Sequence, residues 1–285
     1  MPGDSERKLA KGESCGADVL ILDLEDAVTA ERRPAGRALV RAYLSARRGA
    51  ARRPELWVRI NPLASGIALA DLAAVMPGAP DGIVLPKTDS GEDVRVLAHY
   101  LAALEARENI AEGRTRILPV ATETARAIFH LHSYSDVSER LAGLTWGAED
   151  LPAALGASTN RGPDGELGFV YQLARSLCLA GAVAARVQPV DTVYPDFRDS
   201  AGLEQICARA RMDGFTGKIA IHPDQVAVIQ RAFSPTADEL ARARRVIAAF
   251  RANPSAGTVA LDGQMLDKPH LTQAERVLSL AGESA

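Results

Sequence analysis

Seven short apolar runs alternate with longer helical patterns along most of this chain, and this alternation limits its fold more than any other feature. The runs are Val19–Leu24, Leu56–Asn61, Gly82–Lys87, Arg116–Ala121, Leu144–Gly147, Pro189–Tyr194 and Lys218–Ile221. Most of them are almost continuously apolar, which is typical of strands buried on both faces of a parallel sheet. The alternation therefore predicts βαβ units and an α/β fold.

Seven strand–helix units are one fewer than a (β/α)8 TIM barrel contains, and this barrel is the fold class that we predict. The chain opens with PGDSERKLAKGES, a loop followed by a helical pattern, which is what should follow a strand. We therefore expect the first barrel strand to lie upstream of Met1. The alternative is an open, doubly wound sheet.

The sequence pattern changes after Phe233. Residues 234–253 have an amphipathic helical pattern, and a turn region rich in Gly and Asp then precedes a final helix. This segment lies outside the strand–helix repeat. We predict a catalytic TIM-barrel domain over residues 1–233 and a C-terminal helical extension over 234–285 that contributes to a neighbouring subunit's site.

Composition and charge argue against two classes of partner. The chain has 285 residues and a net charge of −3, which gives no reason to expect nucleic acid. It has no apolar run of membrane-spanning length, and its polar first residues lead us to expect no secretory signal. Cys15, Cys178 and Cys207 lack metal-ligand spacing, so we expect reduced thiols and a cytoplasmic protein.

Charged side chains follow several of the predicted strands. They are Asp23, Glu25, Asp26, Arg59, Lys87, Glu123, Glu149 and Asp150. Because the C-terminal ends of barrel strands meet at one rim, which is where such enzymes hold their active sites, these groups should converge. Crowded carboxylates need a counter-charge, and oxygen ligands favour Mg²⁺, with Mn²⁺ as the alternative.

Each of these charges also has a purely structural interpretation. A carboxylate directly after a strand can cap the next helix, and for Glu123 or Asp150 alone this alternative has equal weight. Arg59 lies within an apolar strand, so its guanidinium needs partners. A structural ion pair with Asp23 or Glu25 is the alternative to a functional role.

Eight short motifs occur in one order over nearly the whole chain. They are PGDSERKLAKGESCGADVLILDLEDAV, WVRINP, GIVLPK, ETARAI, GAEDL, VYPDFRD, GFTGKIAIHPDQV and LDGQMLDKPHLTQAERVL. Together they resemble the citrate lyase β-subunit-like proteins of the HpcH/HpaI aldolase and CoA-ester lyase family, which includes malyl-CoA and citramalyl-CoA lyases. In that family a strand precedes the PGD motif, which agrees with the expected upstream strand.

The resemblance implies a (β/α)8 barrel that forms a homo-oligomer, a trimer or a hexamer. It places two Mg²⁺ ligands on Glu123 of ETA and Asp150 of GAED, and a catalytic arginine on Arg59 of RIN. It also implies that Asp267, near the C-terminus, reaches a neighbouring subunit's site as a catalytic base. From the residues alone, Asp267 is better explained as a turn aspartate that caps the last helix.

The implied reaction is Mg²⁺-dependent cleavage or formation of a β-hydroxyacyl-CoA thioester such as malyl-CoA or citramalyl-CoA. The small-molecule partners are then a CoA thioester and a 2-oxoacid, with acetyl-CoA as one product. Further expected site groups are the backbone of Ala148, Glu149 and Asp150, which binds the substrate carboxylate, and the supporting side chains of Glu25, Asp26 and Lys87. The Glu149 side chain is expected to turn away from the metal.

Three other functions stay open. The chain could be a citrate lyase β subunit acting on an acyl-carrier-protein thioester, or a thioesterase acting on a malyl-CoA-type ester. A barrel without activity that serves as a scaffold is the third. The joint presence of Arg59, Glu123, Asp150 and Asp267 argues against that last function.

Overall fold

The computed structural model describes residues 1–50, 53–163 and 165–283. The chain divides into two compact units, Met1–Ile229 and Gln230–Ala285. The boundary expected from the sequence, at residue 233, lies slightly later, at the end of the helix Pro223–Phe233.

Seven parallel strands form the sheet of the first unit. They are β1 (Val19–Asp23), β2 (Glu55–Arg59), β3 (Gly82–Leu85), β4 (Arg116–Pro119), β5 (Gly143–Thr145), β6 (Gln188–Asp191) and β7 (Gly217–Lys218). β1 to β4 and β5 to β7 pair in chain order, and the parallel bridges Ile117–Leu141 and Val120–Thr145 join the two groups. A doubly wound sheet would reverse its strand order. The sequential order therefore confirms the predicted TIM-barrel fold class.

The outer edge of β1 pairs with the first residues of the chain. The Asp23 N–H donates to the Met1 carbonyl at 2.8 Å, and the Gly3 N–H donates to the Asp23 carbonyl at 2.7 Å. Pro2 and Asp23 form a parallel bridge. Within the described ranges, the parallel sheet consists of the seven strands and this short segment.

Nine helices accompany these strands in the described residues. They are α1 (Glu6–Gly12), α2 (Arg33–Ser45), α3 (Ala68–Val75), α4 (Gly91–Arg107), α5 (Ala125–Ile128), α6 (Asp150–Leu155), α7 (Phe169–Ala184), α8 (Ser200–Asp213) and α9 (Pro223–Phe233), which continues into the second unit. α3 was not predicted, because its alanine-rich sequence has no clear polar face. Residues 124–133 have a sequence pattern that predicts one continuous helix, but they form only α5 and a 3₁₀ turn that spans Leu131–Tyr134. In the part of the chain that is described, no helix combines the length and apolarity needed to cross a membrane.

The barrel strands bury nearly all of their apolar side chains. All four residues of β3 are buried, as expected for a strand covered on both faces. Trp57 packs with Val84, Leu118 and Val120. A β-carbon at Gly82 would lie 2.4 Å from the Trp57 ring, so this packing requires glycine there.

The second unit contains α10 (Ala237–Ala252), β8 (Thr258–Leu261), β9 (Gln264–Asp267) and α11 (Lys268–Leu280). β8 and β9 form an antiparallel hairpin where the sequence indicated only a turn region. Asp262 and Gly263 connect the strands with φ of 53° and 74°, the left-handed pair that a tight hairpin requires. Both helices of the predicted extension are present, and the hairpin lies between them. The core of this unit consists of Ala243, Val246, Ile247, Phe250, Val259, Leu266, Ala274 and Leu278.

Candidate active site

The ends of β1 and β2 place Arg59 against Asp23. The two residues are opposite each other in the strand register. Arg59 Nε and Nη2 donate to the two carboxylate oxygens of Asp23, each at 2.7 Å. Burial opposes ionisation of both groups, but this bidentate pair outweighs it, so the pKa of Asp23 is lowered and the pKa of Arg59 is raised. The structural ion pair between Arg59 and Asp23, which the sequence analysis gave as an alternative to a functional role, is therefore present.

Lys87 links the rim residues of three strands. Its Nζ lies 2.7 Å from Glu25 Oε1, 3.3 Å from Asp150 Oδ1 and 3.7 Å from Asp26 Oδ1. The other Glu25 oxygen lies 3.0 Å from Arg59 Nη1. Glu25 is thus between two cations, yet its burial is the larger influence and the pKa of Glu25 is raised.

Glu123 follows β4 and is almost fully buried. Its Oε2 accepts a hydrogen bond of 2.6 Å from the backbone N–H of Lys87. Burial, together with the neighbouring charge of Asp150, raises the pKa of Glu123 to about 8, although the Lys87 hydrogen bond opposes the shift. A cation that binds beside this carboxyl group would favour its ionised form, and the proton would be released to solvent.

Two backbone features let Glu123 reach this position, and sequence reasoning missed both. Lys87 has a φ of 52°, an uncommon value for a residue with a side chain, and this conformation aims its N–H at Glu123. A β-carbon at Gly147 would lie 2.3 Å from Glu123 Cγ. The glycine before the paired acids was the only sequence signal of this close approach.

The adjacent acids Glu149 and Asp150 differ in their surroundings. Asp150 is the first residue of α6 and contacts Lys87, whereas Glu149 is exposed and makes no side-chain capping bond. Asp150 therefore lies in the first turn of α6 and also at the rim. Among the described residues, the N–H groups of Ala148 and Glu149 have no acceptor, so they are available to a ligand.

The rim carries more negative than positive charge. Five carboxyl groups (Asp23, Glu25, Asp26, Glu123 and Asp150) meet two cations (Arg59 and Lys87), which is an excess of three negative charges once all five are ionised. Glu25 Oε2 is buried and has only an ion-pair contact without hydrogen-bond geometry. This arrangement fits a divalent cation.

No group of three or more His, Cys, Asp or Glu side chains within the described ranges forms a closed metal cage. A hard cation such as Mg²⁺ does not need one, because it commonly takes one or two carboxylates and keeps several waters. Glu123 and Asp150 together meet that lower requirement.

Asp267 lies in the second unit, where it caps α11. Its Oδ1 is 2.5 Å from His270 Nδ1, and both side chains are about half exposed. The capping role that the sequence allowed is present. The role of Asp267 in a neighbouring subunit's site stays a prediction.

Comparison with known proteins identifies relatives over the whole chain. The model of the HpcH/HpaI aldolase/citrate lyase family matches residues 1–223, and a C–C bond lyase family of the TIM-barrel fold matches residues 170–283. The chain is 35% identical to citrate lyase subunit beta of Escherichia coli, over 99% of this chain and 91% of that protein. It is 32% identical to human mitochondrial citramalyl-CoA lyase, over 99% and 84%.

The chain resembles a solved structure over nearly its full length. That structure is the Mycobacterium tuberculosis protein CitE in complex with magnesium, acetoacetate and coenzyme A. The TM-score is 0.78 and the identity is 36%, covering 99% of this chain and 96% of CitE.

Proposed function

Because the chain belongs to the HpcH/HpaI aldolase/citrate lyase family, we propose that it is a Mg²⁺-dependent carbon–carbon lyase, with Mn²⁺ as an alternative ion. It cleaves or forms a β-hydroxyacyl-CoA thioester such as malyl-CoA or citramalyl-CoA. The observation that carries this proposal is the buried Glu123 beside Asp150 on a rim where carboxyl groups outnumber cations. The magnesium and coenzyme A bound to the related CitE support it.

Glu123 and Asp150 are the proposed metal ligands. When bound, the ion acts as a Lewis acid on the oxygen of the 2-oxoacid and as a template for its carboxylate. The free N–H groups of Ala148 and Glu149, with that of Asp150, receive the substrate carboxylate. The exposed Glu149 side chain has no part in this arrangement.

Arg59 is the proposed stabiliser of the thioester enolate. In cleavage the hydroxyl proton passes to solvent, the bond between the hydroxyl-bearing carbon and the α-carbon breaks, and its electron pair stays on the enolate of the acyl thioester. The enolate then takes up a proton at the α-carbon and gives the acyl thioester product. Asp23 and Glu25 hold the guanidinium on two sides, so it meets the developing charge without having to reorganise. Glu25, Asp26 and Lys87 support this geometry.

Asp267 is the proposed base that removes the proton from acetyl-CoA in the condensation direction. It would come from a neighbouring subunit of a homo-oligomer, a trimer or a hexamer in the cytoplasm, through the C-terminal segment 234–285. Its partly exposed carboxylate is accessible to such a neighbour.

A product assay tests this function directly. Acetyl-CoA or propionyl-CoA is incubated with glyoxylate, pyruvate or oxaloacetate and Mg²⁺, and the thioester products are identified. Glu123→Ala and Asp150→Ala should abolish the metal-dependent activity, because each removes a ligand. Glu149→Gln is the matched control and should stay close to wild type. Near-normal activity of either alanine variant would refute the ligand assignment.

One alternative substrate has its own support, the 35% identity to a citrate lyase β subunit. In that case the thioester is carried by an acyl-carrier protein. Activity on the carrier-bound thioester, with none on CoA esters, would favour this alternative. Release of free CoA in place of acetyl-CoA would instead indicate a thioesterase.

A further inference from the structure

The hydroxyl of Thr122 connects the ends of β4 and β5 directly beside the two proposed metal ligands. Backbone pairing between these two chain segments reaches Ala121, whose N–H donates to the Thr145 carbonyl at 2.8 Å. Further along both segments, the Gly147 N–H donates to Thr122 Oγ1 at 3.1 Å. A side chain thus continues the pairing where the two segments leave their strands and enter the rim.

Both partners of this hydrogen bond are shielded from solvent. Thr122 is 0% exposed, and Gly147 is buried as well. Because water does not reach the Gly147 N–H, this donor depends on the hydroxyl as its acceptor. A buried donor that loses its acceptor costs free energy, so the backbone would shift to find another one. The Thr122 hydroxyl therefore fixes the position of Gly147.

The position of Gly147 affects both proposed ligands. A β-carbon at Gly147 would lie 2.3 Å from Glu123 Cγ and 3.0 Å from Glu123 Oε1, so this backbone is in close contact with the Glu123 side chain. Asp150 follows Gly147 by three residues in the same loop. A shift of Gly147 therefore changes the separation of the two carboxyl groups. Mg²⁺ demands near-ideal octahedral geometry, so its affinity is sensitive to that separation.

We propose that Thr122 is a positioning residue of the metal site, whose hydroxyl sets the separation of Glu123 and Asp150 by holding Gly147. The inference rests on the proposed function, which assigns these two carboxyl groups to Mg²⁺. Thr122 acts through Gly147 and is not itself a ligand. Glu123 is thus held from the β3 side by the Lys87 N–H and from the β5 side by Gly147.

Calorimetric titration with Mg²⁺ tests this role. Thr122→Val replaces the hydroxyl with a methyl group of similar size and should weaken Mg²⁺ binding about tenfold. Thr122→Ser keeps the hydroxyl and should bind Mg²⁺ like wild type. Thr115→Val is the matched control, because Thr115 is equally buried and lies just before β4, at the opposite end of that strand. Equal weakening in Thr122→Ser or Thr115→Val, or no change in Thr122→Val, would overturn the proposal.

Amide hydrogen exchange of the metal-free protein gives a second readout that needs neither metal nor turnover. Thr122→Val should speed exchange of the Gly147 N–H about tenfold, whereas Thr115→Val should leave it unchanged. Unchanged exchange in Thr122→Val would refute the positioning role whatever the Mg²⁺ affinity.

Titration of Glu123→Ala with Mg²⁺ separates this inference from the proposed function. If Glu123→Ala binds Mg²⁺ like wild type, the ligand assignment fails, and the role of Thr122 fails with it. If Glu123→Ala loses Mg²⁺ binding while Thr122→Val keeps it, only the role of Thr122 is refuted.

Discussion

Lys87 organises the rim through two separate atoms. Its backbone N–H holds Glu123, and its ammonium lies between Glu25 and Asp150. Hydrogen bonding to Glu25 outweighs the burial of the ammonium, so the pKa of Lys87 is raised and the group stays charged. One residue thus fixes a metal-ligand candidate and partly neutralises the carboxylates around it.

Gly147 offers a test of how closely Glu123 must be placed. In Gly147→Ala the new methyl group would collide with Glu123 Cγ, since the β-carbon would be 2.3 Å away. The backbone there does not need glycine for its φ, so the effect is steric. We expect Mg²⁺ affinity to fall about tenfold, measured by calorimetry, with the circular dichroism spectrum unchanged.

Gly217→Ala is the control for that substitution, because nothing lies within 4 Å of its built β-carbon. It should keep the Mg²⁺ affinity of wild type. If Gly147→Ala also binds Mg²⁺ like wild type, Glu123 does not depend on this close approach and its role as a ligand is weakened.

At the scale of elements, a buried ion pair connects α4 to the residues before β4 and β5. Glu105 accepts two hydrogen bonds from Arg140, at 2.8 and 2.7 Å, and one each from the N–H groups of Thr115 and Gly113. Burial raises the pKa of Glu105, but these bonds outweigh it and the net effect is a lowered pKa. The pair therefore stabilises the fold when Glu105 is ionised.

Glu105→Gln should lower the free energy of unfolding by about 3 kcal/mol at pH 7, because Arg140 is left buried without its partner. The sign of the pH dependence follows from the lowered pKa. Stabilisation by Glu105 is complete above its unfolded pKa and is lost as the pH falls through its folded pKa. The difference between wild type and variant should therefore shrink below about pH 4 in urea unfolding.

Glu92→Gln is the control on the same helix, since Glu92 is paired with Arg95 at the surface. It should change the free energy of unfolding by less than about 0.5 kcal/mol. A difference for Glu105→Gln that stays constant down to pH 3 would show that ionisation of this carboxyl does not stabilise the fold.

The sequence patterns did not predict α3, β8 and β9, because the periodicity of apolar and polar residues is weak in these elements. α3 is short and alanine-rich, so it lacks the polar face that marks an amphipathic helix. The strands β8 and β9 have four residues each, too few for a clear alternation of apolar and polar residues. The turn between them, Asp262–Gly263, was visible as a turn but not as a hairpin.

At the scale of the whole molecule, the proposed role of Asp267 predicts a site to which two subunits contribute. Glu123 belongs to the barrel unit and Asp267 to the C-terminal unit. If Asp267 acts in a neighbouring subunit, mixing inactive Glu123→Ala and Asp267→Ala subunits should restore about one quarter of wild-type activity after random reassembly. The reason is that Glu123 is intact in half of the subunits and Asp267 is intact in the other half, so about one quarter of the sites receive both residues. The assay is the thioester product measurement on the mixed oligomer.

Unmixed preparations of each variant, taken through the same dissociation and reassembly, are the controls and should stay inactive. Asp267→Ala alone should remain folded and bind Mg²⁺ while losing turnover. No recovery in the mixed sample, with oligomers confirmed by size, would place Asp267 outside the neighbour's site.

The sequence by itself determined the seven strands, their parallel order and the residue types at their ends. Buried parallel strands need continuous apolar runs, and charges just after such runs stand out against them. The resemblance then pointed to Glu123, Asp150, Arg59 and Asp267 among these charges. Only the tertiary structure decided which of the charges meet.

Arg59 pairs with Asp23 because their strands are in register, and Glu123 comes close to Gly147 and Lys87 because β3, β4 and β5 are neighbours. The raised pKa of Glu123 depends on burial, which residue order does not specify. Contacts between different strand ends are set by packing in three dimensions, and a one-dimensional pattern does not contain them.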